Sequence, residues 1–428
     1  MGIRLKPTSR VRIVRTIFLW AVLLVLVYLV IESIFLSGLS FLQKFKNITF
    51  QPLPLSLSKT HKEILKKALM NKSEYIMYSS VLGWTVKPNG SDGLARANSQ
   101  GIRANKEYSI LPAGGVVRVS AFGDSFTHSN DVKNEDTWAA RLDKMDSKLE
   151  VLNFGVGAYG LDQAFLRYKQ DGVPFNSHII LIGFLSENLV RNVNVCRLFL
   201  YPTSNEPFAK PRFTLEKGRL SLLPNPMCAL GDYEKLLTDE QVVLSRLGVA
   251  DYFYGRRYWK GRFDFLPSVR FLKIATYELS LRVGDNSLFL IDGSYNPHSE
   301  AFLVTTRIFD EFYLSALDKG SLPIVLLFPT IKDIHRFRTN RTRIYAPLIS
   351  YLERKGYRFV DLLCAFDTYG RSVPEENLIV KPFLHYSPLA NELVARYLAD
   401  YLEKNKLNDL VALRRELTSV KNAAAFGN

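Results

Sequence analysis

The sequence predicts an α/β protein: a doubly wound, three-layer domain on a five-stranded parallel sheet, preceded by one N-terminal transmembrane helix. Three observations carry this. A single long apolar run follows a basic N-terminus. Short β-branched and aliphatic runs of strand length then alternate with helical stretches. Glycine-rich or polar turns stand directly after those strands, where open α/β sheets carry their ligands.

Composition sets the bounds. The chain has 428 residues, a net charge of +15, 47% hydrophobic and 23% charged residues. That apolar fraction excludes a disordered chain, and 3 Cys exclude a disulfide framework. Cys196 and Cys228 are the candidate pair for one bridge, while Cys364 reads as a small buried hydrophobe. The positive charge is compatible with nucleic acid, a membrane surface, an anionic polymer or plain solubility.

Residues 1–16 form a basic flank holding Arg4, Lys6, Arg10, Arg12 and Arg15 with no acid. Residues 17–36 are apolar except for Glu32 and Ser33, long enough for about 30 Å of helix, one hydrocarbon core. The flank places the N-terminus in the cytoplasm and the remainder across the inner membrane, periplasmic or extracellular. A cleaved signal peptide is the alternative. The length of the run and the lack of a small-x-small site favour an uncleaved anchor. Residues 37–74, with Pro52, Pro54 and a basic stretch, read as a stalk.

From residue 75 to 404 the pattern is globular. Strands are expected at Val116–Phe122, Glu150–Phe154, Ile179–Gly183, Leu322–Phe328 and Tyr357–Leu363. Helices are expected at Glu135–Met145, Leu161–Lys169, Glu300–Leu317, Ile344–Lys355 and Pro388–Lys404. An aromatic- and proline-rich insertion at about 192–296 interrupts the rhythm, with a hairpin turning at Lys217-Gly218. Residues 405–428 form a tail ending in a disordered NAAAFGN.

Four strand ends hold chemistry. After the first comes Gly123-Asp124-Ser125. A serine on a strand-to-helix bend has an exposed hydroxyl and a backbone N–H for an oxyanion, although an Asp/Ser helix cap explains the same tripeptide. After the second comes the turn from Gly155 through Gly157 and Ala158 to Gly160. Its bare N–H groups suit an anion, and it also spells a GxGxxG, but no acid ends the next strand as dinucleotide binding requires. After the third comes Asn188, an amide donor or a plain turn residue. Before the last helix comes His385, a base for Ser125 or a helix-entry polar residue. Of the other histidines, His335 lies in a basic helical stretch, and His61, His128, His178 and His298 have no acid or histidine at metal spacing.

In this order the signals resemble the SGNH/GDSL hydrolase family, over roughly residues 80–195 and 300–404. The stretch LGW…KPN…NSQGIR, Leu82 to Arg103, resembles its membrane-anchored bacterial branch. The resemblance implies the flavodoxin-like SGNH fold, Ser125 as nucleophile and His385 as base. It implies oxyanion donors from the Ser125 amide, the turn at Gly157 and Ala158, and the Asn188 side chain, with Gly123 and Asp124 structural. It implies no metal or organic cofactor. The sequence departs from the family in two places. Ala158 stands where the family has glycine, and Pro382 stands where the family has its Asp, three residues before the histidine. Glu375, Glu376 or a backbone carbonyl is then left to orient the imidazole, or the site is a Ser-His dyad of reduced activity.

The expected activity is that of an extracytoplasmic serine esterase or deacetylase on acyl groups of envelope polysaccharide or lipid. O-acyl transfer at the same site and a non-catalytic assembly protein are the alternatives. The membrane is a partner through the anchor, and nucleic acid is not expected. The cluster Lys332, Arg336, Arg338, Arg341 and Arg343 reads either as a solvated helix face or as a contact for anionic lipid or polysaccharide.

Overall fold

The computed structural model describes residues 7–46, 48, 55–258, 260–282, 288–382 and 384–426. The chain forms two compact units. The first comprises residues 1–55 and 254–285, and the second residues 56–253 and 286–428.

In the first unit, α1 (Pro7–Lys46) is one continuous helix of 40 residues, about 60 Å long. It is long and apolar enough to cross a membrane. It packs against a second helix, Pro267–Arg282, drawn from the insertion. Assigning all of 192–296 to the globular domain is thereby corrected: the described residues of 254–285 group with α1. The stalk is corrected as well. α1 runs ten residues past Leu36, to Lys46. Lys59–Leu69 forms a capped helix, with Ser58 and His61 in a reciprocal capping box and His61, Leu65 and Ala68 buried. The basic surface of that stretch concealed the apolar stripe beneath it.

The second unit is built on five strands: β1 (Val117–Phe122), β2 (Leu149–Asn153), β3 (Ile179–Leu185), β4 (Leu322–Phe328) and β5 (Phe359–Asp361). Their spatial order is β2-β1-β3-β4-β5, and every neighbouring pair is parallel. This is the flavodoxin-like order, which reverses at β1/β3. The register sets Val119 against Val151 and Ile179, and Leu326 against Gly183 and Val360.

Every residue of β1, β3 and β4 is buried, because helices cover both faces. Successive side chains serve opposite faces. Val117, Val119, Ala121, Leu181, Ile324 and Leu326 join a core with Trp138 and Leu142 of the helix Trp138–Met145 and with Val394 and Leu398 of the helix Pro388–Lys404. The alternate positions Phe122 and Phe184 meet Tyr168 and Phe309, with ring centroids 5.5 and 5.7 Å apart. Phe309 lies on the helix Glu300–Asp318.

The insertion holds the hairpin Arg212–Glu216/Arg219–Leu223, and its turn at Lys217-Gly218 has φ of 50° and 78°, as a type I′ turn requires. The tail is helical over Leu410–Phe426, so the reading of NAAAFGN as disordered fails up to Phe426. Its three alanines are strong helix formers, and Leu413 joins the core. Cys196 and Cys228 are not bridged: Cys196 is buried, Cys228 is exposed, and burial pushes the Cys196 thiol up to about 12.

Candidate active site

The site lies beyond the carboxyl ends of β1, β3 and β4. Asp124 caps the one-turn helix Ser125–His128, its Oδ1 accepting from the Phe126 N–H at 2.9 Å. Its Oδ2 accepts from Asn188 Nδ2 at 3.1 Å and from Arg191 Nη1 at 3.3 Å. A fully buried carboxylate satisfied in this way is structural. Ser125 is the first residue of that turn, so its N–H has no partner within the helix.

A cavity of about 590 Å³ opens over this bend. Ser125, Gly157, Ala158 and His385 all line it, so the structure brings four of the sequence-derived site residues together. Asn188 does not line the cavity; its amide is drawn behind the wall by Asp124. Arg191, one turn further on, lines the cavity in its place. Gly155 lets the glycine turn approach the helix Ser125–His128, since a Cβ there would stand 2.3 Å from the His128 backbone nitrogen. The indole of Trp84 donates to the Gly157 carbonyl at 3.0 Å. In a trans peptide that fixes the opposite heading of the Ala158 N–H.

Ala158 has φ of 68°, the left-handed conformation a glycine takes without cost. Ala158→Gly is therefore expected to stabilise the fold by about 0.5–1 kcal/mol, after the entropy glycine adds to the unfolded chain. Thermal unfolding of the detergent-solubilised chain reads this out, and an unchanged or lowered midpoint contradicts it.

The imidazole has a carboxylate, and its source was not foreseen. His385 Nδ1 lies 2.6 Å from Asp131 Oδ2. Neither Pro382, which has no carboxylate, nor Glu375 takes this place. Glu375 is held instead by His335 at 3.2 Å and Arg338 at 3.6 Å. Asp131 sits six residues after Ser125, on a loop with two left-handed residues, Ser129 at φ 64° and Asp131 at φ 65°. Nothing in the local sequence distinguishes it from a turn aspartate.

Arg103, the last residue of the LGW…NSQGIR stretch, holds that loop. Its guanidinium donates to the carbonyls of His128 and Ser129, both at 2.7 Å, and to that of Val132. It also donates to Asn134 Oδ1 at 3.1 Å and to His128 Nδ1 at 3.0 Å. With Nδ1 accepting, His128 carries its proton on Nε2, which faces Tyr75 Oη at 2.6 Å. Burial and the neighbouring Arg103 push the His128 pKa well down, so it stays neutral.

The far wall comes from the insertion, through Arg197, Tyr201, Ser204 and Glu206. Burial pushes the Glu206 carboxyl up to about 7 against the pull of Arg197, and pushes the Arg197 guanidinium down to about 9. The basic cluster seen in the sequence resolves into structural ties. Arg336 and Arg338 donate to the carbonyls of Gly293 and Gly370, and Arg341 and Arg343 pair with Asp367 and Asp361. Lys332 lines the cavity.

No family profile matches the chain, and no curated protein matches it. Similar solved structures include a putative lipolytic protein of the G-D-S-L family from Desulfitobacterium hafniense, at 13% identity, with 66% of this chain and 98% of that one covered and a TM-score of 0.33. An alpha/beta hydrolase enzyme from the metagenome of Lake Arreo matches at 13% identity, 68% and 96% coverage, and a TM-score of 0.34. An acetyl xylan esterase from Geobacillus stearothermophilus matches at 11% identity, 69% and 96% coverage, and a TM-score of 0.34. At such scores the functional reading rests on topology and site geometry. By these the second unit is a doubly wound α/β domain of flavodoxin-like order, with a serine, a histidine and an aspartate gathered at its strand ends.

Proposed function

We propose that this chain is a membrane-anchored, extracytoplasmic serine esterase that removes acyl groups from envelope polysaccharide or lipid. The observation that carries the reading is the His385–Asp131 contact of 2.6 Å on the cavity that Ser125 lines. With Asp131 accepting from Nδ1–H, His385 is left with an unprotonated Nε2 to act as base. Ser125 Oγ attacks the ester carbonyl while Nε2 takes its proton. The tetrahedral oxyanion is met by the N–H groups of Ser125 and Ala158 and by the Arg191 side chain. Collapse expels the alcohol, which takes the proton back from His385, and leaves an acyl-Ser125. Water attacks the acyl-enzyme with His385 again as base, releasing the carboxylic acid and the free serine.

The placement outside the cytoplasm rests on the basic flank from Arg4 to Arg15 ahead of the apolar run. The non-catalytic reading rested on the lack of an acid at Pro382, and the position of Asp131 removes that ground.

Labelling by a serine-reactive fluorophosphonate tests the proposal. Wild-type chain is expected to be labelled and Ser125→Ala to be unlabelled while retaining the same thermal midpoint. Folded wild type that takes no label, or Ser125→Ala that labels as wild type does, overturns the assignment.

A further inference from the structure

Glu32 is an anomaly in the apolar run, and the structure gives it a partner. Its carboxylate accepts from the Ser268 N–H at 2.9 Å and from Ser268 Oγ at 2.6 Å. Ser268 lies in the first turn of the helix Pro267–Arg282, where a negative charge is favoured by the helix dipole and the open N–H groups. Two turns of contact follow. Phe35 and Phe271 have ring centroids 5.3 Å apart, and a Cβ at Gly38 would stand 3.1 Å from the Phe271 ring. The insertion helix is thus fastened to α1 at residues 32–38, the level where the apolar run ends.

The same segment presents an apolar surface that none of the described residues covers. Leu272 and Leu279, seven residues apart and so on one helix face, are 58% and 59% exposed. Phe263 and Phe265, just before the helix, are 57% and 73% exposed. Around them the sequence holds Arg256, Arg257, Lys260, Arg262, Arg270 and Lys273 against Asp264 and Glu278, and Lys273 pairs with Asp264. Exposed Phe and Leu beside Arg and Lys match an interfacial amphipathic helix, whose apolar side enters the acyl boundary while its cations meet headgroup phosphates.

We infer that residues 254–258 and 260–282 form a second membrane-contacting element, lying in the bilayer interface where the apolar run of α1 ends and locked to it by Glu32. The occupant of the exposed face is lipid, because the face is continuous with a helix that itself crosses the bilayer. The insertion therefore has two tasks. One part walls the cavity, and the other fixes the chain to the membrane surface. This inference stands on the anchor and is independent of the esterase chemistry.

Depth-resolved quenching on the full-length chain, reconstituted in phosphatidylcholine/phosphatidylglycerol vesicles, tests it. In a Cys228→Ser, Cys364→Ala background, an environment-sensitive dye is attached at Leu272→Cys or Leu279→Cys. Val242→Cys, an exposed position in the other unit, and Leu24→Cys, within the anchor, serve as references. The 272 and 279 labels are expected to be quenched by nitroxide-bearing lipid and to show iodide quenching about threefold or more weaker than the 242 label. Iodide quenching at 272 equal to that at 242 overturns the inference. Protection from both quenchers also overturns it, since protein then covers the face. A 24 label that nitroxide lipid does not quench overturns the anchor and the inference together.

Discussion

Asp131→Asn is expected to lower kcat on a model ester such as p-nitrophenyl acetate about 10⁴-fold, with KM little changed. Asn keeps the size of the side chain but presents an amide that either donates to Nδ1 or accepts without a charge. The imidazole then loses the carboxylate that holds Nδ1–H and stabilises the imidazolium formed when Ser125 gives up its proton. The binding surface of the cavity is untouched, so the loss falls on kcat. Glu375→Gln is the matched control. Its carboxylate serves His335 and Arg338 on the surface, and its rate is expected to equal wild type. Steady-state kinetics of the two variants check this. A near-wild-type Asp131→Asn, or a large loss in Glu375→Gln, assigns the orienting role elsewhere.

Arg103→Met is expected to destabilise the second unit by about 3 kcal/mol or more and to cut turnover in whatever fraction stays folded. The guanidinium is buried and satisfies three carbonyls, an amide oxygen and an imidazole nitrogen. Each buried acceptor left alone costs about 1–3 kcal/mol, partly recovered by relaxation. Two of those carbonyls belong to His128 and Ser129 and one to Val132, on either side of Asp131. Released, the loop no longer has cause to keep Ser129 and Asp131 at positive φ. Arg103→Lys keeps the charge but has no planar fork for so many acceptors, and is expected to recover only part of both losses. Thermal unfolding combined with kinetics on the folded fraction separates the two effects. A variant with wild-type stability contradicts the proposed clamp.

Much of the fold was legible because its signals are local. β1, β3 and β4 are continuous apolar runs, and a strand buried on both faces must read that way. The placement of Ser125 and His385 on the cavity was legible for a related reason: a polar residue directly after such a run, at a helix entry, stands at the carboxyl end of the sheet. Asp131 was not legible. Its contact with His385 spans 254 residues of sequence, and it depends on a loop conformation set by Arg103, itself 28 residues upstream. The family pattern pointed to position 382, where proline supplies no carboxylate. Asn188 misled in the opposite sense, since its place after β3 suited an oxyanion donor but the buried Asp124 captures its amide. The insertion lacked a period because it serves two units. Residues 212–223 form a hairpin in the α/β unit, while 267–282 pack against α1.

Asp131 is expected to act on Ser125 through His385. A double-mutant cycle on the second-order rate constant of fluorophosphonate labelling isolates that coupling, with wild type, Asp131→Asn, His385→Ala and the double variant. If the carboxylate works only by orienting the imidazole, it has nothing left to orient once the ring is gone. The double variant is then expected to label as slowly as His385→Ala alone. A double variant slower than His385→Ala by the full factor that Asp131→Asn costs in wild type would contradict the account, as would Asp131→Asn labelling at the wild-type rate.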